Sequence, residues 1–125
     1  MTPALWCLFI AGLLPYPFAA AAKWTGRYNN HQPRDFMQTA TGWRKRAYGV
    51  HLNSFEAFPF FAAAVLVAHL ARGPNHVVDL MAMGFIAARM VYAVLYLADL
   101  AALRSAIWTA GYAVAVAIFV VAGRG

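Results

Sequence analysis

The chain has 125 residues, of which 63% are hydrophobic and only 11% charged. That charged share is less than half of the ~25% usual in soluble domains, and so short a chain has too little interior to hide its apolar surface. The composition argues against a soluble globular domain and excludes a disordered or collagen-like chain. Lipid is the natural solvent, and at ~20 residues per span the length holds at most about four spans with short connections.

In chain order, residues 3–22 form an uncharged first segment. The alanines at 19–22 offer a signal-peptide cleavage site, but Met1, Thr2 and Pro3 supply none of the preceding basic charge. A retained span is the expectation, kinked or broken in its last turns by Pro15 and Pro17. The single cysteine, Cys7, forms no intrachain disulfide and reads as a small apolar residue. Residues 23–42 are rich in Gly, Asn, Pro and charge and read as a loop. Thr41 is a candidate cap for the next helix, with Trp43 at interfacial depth. The second span covers about residues 43–70, interrupted by Pro59 and His69, and a turn through Gly73 and Pro74 follows. The third covers about residues 76–100 and the fourth about 105–122, with a short polar turn between them. The expectation is one all-α membrane domain over residues 1–125, a bundle of four transmembrane helices.

The net charge of +6 reports topology before nucleic acid binding, because the basic residues sit at segment ends. The first and third connections hold Lys23, Arg27, Arg34, Arg44, Lys45, Arg46 and Arg104; the opposite side holds Arg72 and Arg124. This excess places the 23–42 loop and the third connection in the cytoplasm and both termini outside. Arg44 and Lys45 read as topology signals against lipid headgroups.

Ionisable groups inside spans are costly and mark function. Glu56 and Arg89 stand at matching depth, roughly 15 Å from the same side at 1.5 Å per residue, so an ion pair between them is expected. The alternative reading is a pair that only locks two helices. Arg46, Asn53 and Glu56 lie near one helix face, and Arg89, Tyr92 and Tyr96 share another. Arg104 and Ser105 open the fourth span on the same side. The spacing thus predicts a polar pocket lined by arginines, a carboxylate, an amide and two phenols. Arginines fork onto carboxylates, Glu56 suits an ammonium and Asn53 a peptide group. Arg104, or a helix N-terminus, beside a thiol favours the reactive thiolate. A tripeptide thiol such as glutathione has all these parts.

Residues 46–59, with Arg46, then Asn53 and Glu56 three apart, then Pro59, resemble the second-helix signature of the MAPEG family, the membrane-associated proteins in eicosanoid and glutathione metabolism. Arg89, Tyr92 and Tyr96, followed by Arg104 and Ser105, resemble its third-helix and fourth-helix-entry elements, and the fit is closest to the short bacterial branch. The resemblance implies a homotrimer in a bacterial inner membrane. Glutathione would be the co-substrate, without metal or haem, and a lipophilic small molecule would arrive from the bilayer. It implies glutathione contacts from Arg46, Asn53, Glu56, Arg89, Tyr92, Tyr96 and Arg104, with Arg104 or Ser105 beside the thiol. The chemistry implied is transfer to an electrophile or reduction of a peroxide. Leu52 departs from relatives that carry a further arginine there, and Trp108 stands where some have tyrosine. A non-catalytic MAPEG-like binding or structural protein is the alternative.

Two other classes fit less well. His51 and His69 share a face roughly 27 Å apart, as stacked haem ligands would, but His31 and His76 sit in a loop and at a span end and offer no partners. A small cation exporter needs an unpaired acid, whereas Arg89 should keep Glu56 ionised and occupied.

Overall fold

The computed structural model describes residues 1–25 and 27–124. Six helices make up its secondary structure among the described residues: α1 (Pro3–Leu13), α2 (Pro15–Ala22), α3 (Pro33–Gln38), α4 (Gly42–Arg72), α5 (His76–Leu97) and α6 (Ala101–Gly123). Taken together, α1 and α2 run Pro3–Ala22; with α4, α5 and α6 they give four helices long and apolar enough to cross a membrane. The protein is an all-α integral membrane protein built as a four-span bundle.

The first span breaks where its prolines lie. Pro15 and Pro17 have no N–H for the carbonyls of Ala11 and Leu13, so the helical ladder is interrupted while Leu14 stays in αR geometry. His51 of α4 donates from Nδ1 to the Pro15 carbonyl at 2.9 Å, fixing this weak point to the bundle. At the other end of α1, Thr2 caps Leu5 N–H at 3.3 Å and Asp79 of α5 accepts from Ala4 N–H at 2.9 Å. The ring of His69 faces the Val65 carbonyl through Nδ1, so its Nε2 accepts from the Thr2 hydroxyl at 2.8 Å. His51 and His69 thus serve hydrogen bonds between or along helices.

The 23–42 stretch differs from the expected irregular loop. Pro33 at the first helical position and Asp35 in the first turn start the short helix α3, both favoured there by an N-terminus that lacks partners for its N–H groups. Met37 of α3 packs with Ala22 and Ala47 in a small satellite core. Arg44 donates from Nε to the Ala22 carbonyl at 3.0 Å, closing the end of α2, and lies over Phe36. Arg44 is therefore a tie between α2, α3 and α4, beyond a topology signal. Thr41 occupies the N-cap of α4, but its hydroxyl makes no capping hydrogen bond.

The link from α5 to α6 also departs from the expected bounds. Ala98 N–H and Leu100 N–H return to Val94 and Leu95, and Asp99 adopts φ 61°, so α5 stops at Leu97 rather than near residue 100. Helix α6 then begins at Ala101, and Arg104 and Ser105 lie inside its first turns. The main core is made of Phe61, Val65, Val78, Phe85 and Ile118 among small residues such as Ala64, Ala68 and Ala82. Alanine lets helix backbones approach closely where lipid gives no hydrophobic push. Large apolar side chains such as Trp6, Leu66, Leu70 and Val94 face outward instead.

Candidate functional site

Helices α4, α5 and α6 bring most of the expected polar residues to one level. Arg89 is 4% exposed, and its Nη2 donates to Ser54 Oγ of α4 at 3.4 Å. Its guanidinium carbon sits 4.3 Å from the Tyr92 ring centroid. Tyr92 meets Tyr96 edge to face at 5.7 Å, and Arg104 of α6 lies over Tyr96 at 4.4 Å. Two rings, Tyr92 and Tyr96, are thus flanked by two cations, buried Arg89 on one side and half-buried Arg104 on the other. Each cation–ring contact contributes about 0.5–2 kcal/mol, more where water is excluded.

The expected Glu56–Arg89 ion pair does not form as a direct contact. Among the described residues the two stay beyond the 4.0 Å salt-bridge distance. Arg89 turns to Ser54 and Tyr92, while Glu56 is exposed and accepts from Asn53 Nδ2 at 3.5 Å. Equal depth brought the two side chains to one cavity, but rotation about the helix axes decided their partners.

Two adjoining cavities open between these helices. The outer one, about 300 Å³, is polar and open, lined by Asn53, Tyr92, Tyr96, Arg104, Ser105, Trp108 and Thr109. The inner one, about 110 Å³, is more enclosed and more apolar, with Glu56 and Arg89 among its polar lining. Asn53, Tyr92 and Trp108 line both. Asn53 Oδ1 is buried with no hydrogen-bond partner among the described residues.

Arg46 is the expected site residue that lines neither cavity. Its Nε donates to the Leu97 carbonyl at 3.0 Å, closing the C-terminal end of α5. Two contributors escaped sequence reasoning. Ser54, 3% exposed, holds Arg89, and its only signal was its position between Asn53 and Glu56. Gly49 leaves room for Tyr96: a Cβ there would overlap the phenol oxygen. A lone glycine in a span carries no mark of that role.

A cation–ring series running from buried Arg89 and Tyr92 to half-buried Tyr96 and Arg104 thus borders an open polar cavity and a smaller, more apolar one within a four-span membrane bundle. The chain matches the MAPEG family model over residues 3–124 and belongs to the MAPEG family. No curated protein and no solved structure matches it.

Proposed function

We propose that the protein is a membrane-bound glutathione-dependent transferase or peroxidase acting on a lipophilic electrophile or hydroperoxide. The observation that carries this reading is the convergence of Asn53, Tyr92, Tyr96, Arg104 and Ser105 from α4, α5 and α6 on one open cavity, in a chain of the MAPEG family. The cavity, about 300 Å³, is at the lower end of ligand sites, roughly 300–1,000 Å³. An extended tripeptide overhangs a cavity of that size, which supports a homotrimer in which a neighbouring protomer covers the rest.

In this reading Arg104 and Arg89 supply positive charge, Glu56 receives the ammonium and the Asn53 amide bonds a peptide group. Arg46, with Nε committed to Leu97, offers its terminal nitrogens to a carboxylate. Arg104 or Ser105 stands beside the thiol and favours its thiolate. The thiolate attacks an electrophilic carbon; a carbon–sulfur bond forms and the leaving group departs with its electron pair. With a hydroperoxide, two glutathione molecules are oxidised to the disulfide as the peroxide is reduced to alcohol and water. The excess of Lys and Arg around residues 23–42 supports an inner-membrane orientation with that loop cytoplasmic and the termini opposite.

Leu52, exposed where glutathione-using relatives carry an arginine, favours a second reading as a binding protein without turnover. Calorimetric titration of the detergent-solubilised protein with glutathione tests the first requirement. Saturable binding with conjugation of a generic aryl halide supports the enzyme; no binding at millimolar glutathione removes it.

A further inference from the structure

Arg89 has two partners to choose from on α4. Glu56 borders the same inner cavity, and a guanidinium bonds a carboxylate roughly twice as strongly as a neutral acceptor. Yet the side chain takes the weaker partner. Its Nη2 donates to the neutral Ser54 Oγ at 3.4 Å, its guanidinium carbon lies 4.3 Å from the Tyr92 ring centroid, and Glu56 stays beyond 4.0 Å.

The geometry of α4 explains the choice. At 3.6 residues per turn, side chains two apart point to nearly opposite sides of a helix. Ser54 faces the bundle interior, 3% exposed, and Glu56 faces outward and is exposed. An arginine held at Ser54 is therefore turned away from Glu56. A hydroxyl suits this task because it accepts an N–H without bringing a charge of its own into the interior.

We propose that Ser54 is a positioning residue: its hydroxyl holds Arg89 against Tyr92 and so keeps the Glu56 carboxylate unpaired and available to a cationic group of a ligand. Without the hydroxyl, a buried guanidinium has N–H groups to satisfy and a carboxylate at the same cavity to satisfy them. The resulting Glu56–Arg89 pair occupies the charge that a ligand's ammonium needs. That this ammonium is glutathione's rests on the glutathione reading above; the choice of partner by Arg89 does not.

Glu56 is the one glutamate in the chain, so glutamate ¹³C-labelled at Cδ places a single label. Solid-state ¹³C–¹⁵N dipolar dephasing of the full chain in liposomes, with guanidino-¹⁵N arginine, then reads whether a guanidinium touches Glu56. Wild type should dephase weakly. Ser54→Ala should raise the dephasing roughly threefold as a nitrogen closes to about 2.8 Å from a Glu56 oxygen. Adding Arg89→Lys should cancel the rise, because lysine carries no guanidino label. Ser54→Cys, similar in shape but a weak acceptor, should give a smaller rise and serves if the alanine variant does not fold. Strong dephasing in wild type, no rise in whichever serine variant folds, or a rise that survives Arg89→Lys would overturn the proposal. Glutathione titrations on the same samples separate the two ideas. Binding weakened roughly tenfold in Ser54→Ala, as in Glu56→Gln, supports both. Unchanged affinity in a variant whose Glu56 is paired overturns the claim that the free carboxylate serves a ligand. The dephasing changes in a protein that never binds glutathione support the role of Ser54 and remove the transferase instead.

Discussion

The guanidinium of Arg104 lies over the ring of Tyr96, 4.4 Å from its centroid, and both border the outer cavity. This contact fixes a positive charge at the mouth of the site without spending the Arg104 donors on protein acceptors. Arg104→Ala should lower conjugation of an aryl halide at least a hundredfold while costing only about 0.5–1 kcal/mol of stability, the loss of one half-buried cation–ring contact. Arg104→Lys should recover part of the rate, because the charge returns without the planar fork. Unchanged turnover in the alanine variant would remove Arg104 as the thiol's neighbour.

Gly49 faces Tyr96 across the α4–α5 contact, and any Cβ there meets the phenol. Gly49→Ala gains helix propensity of ~1 kcal/mol but overpacks a rigid ring, which costs about 1–3 kcal/mol. The expected outcome is a protein that still folds and binds glutathione roughly tenfold more weakly. Calorimetry beside thermal unfolding separates the two effects.

Glu56 is exposed and accepts only from Asn53, so its charge is available to a ligand. Glu56→Gln keeps an acceptor for Asn53 and should change stability by less than about 0.5 kcal/mol, as surface substitutions do. Loss of a charge-assisted contact worth about 1.5–3 kcal/mol should weaken glutathione binding at least tenfold. A large fall in melting temperature would instead show that Glu56 is a structural partner of Arg89.

Asp79 is buried and accepts from the Ala4 backbone at 2.9 Å, close to the starts of both α1 and α5. Asp79→Ala leaves a buried N–H without a partner and should cost about 1–3 kcal/mol in thermal or denaturant unfolding. Asp79→Asn keeps an acceptor oxygen and should cost clearly less. Equal losses would mean that the charge, rather than the hydrogen bond, holds α1.

The sequence made the spans plain because apolar runs of span length report their solvent directly. Convergence was also legible: Asn53, Tyr92, Tyr96 and Arg104 were placed by depth and helical spacing, and depth survives small errors in helix ends. Partner choice was not. Glu56 and Arg89 match in height, yet their contacts depend on how α4 and α5 are rotated, which spacing along one helix does not contain. The second task of Arg46, its Nε on the carbonyl left open by the end of α5 at Leu97, was not legible because only its charge was counted. Helix α3 was hidden because its few residues show no apolar period; Pro33 and Asp35 were the only local cues.

Helix α5 is moored at both extremities, through Asp79 to the start of α1 and through its last carbonyl to Arg46. Helix α6 is not: its one hydrogen bond to another helix among the described residues is Arg72 Nη1 to the Val121 carbonyl, 3.3 Å, at the far end from Arg104. Near the cavities it is held instead by the three-residue link 98–100 to α5 and by Arg104 over the Tyr96 ring. The spacing of that side of the site is therefore set by the continuity of the chain rather than by a directional bond.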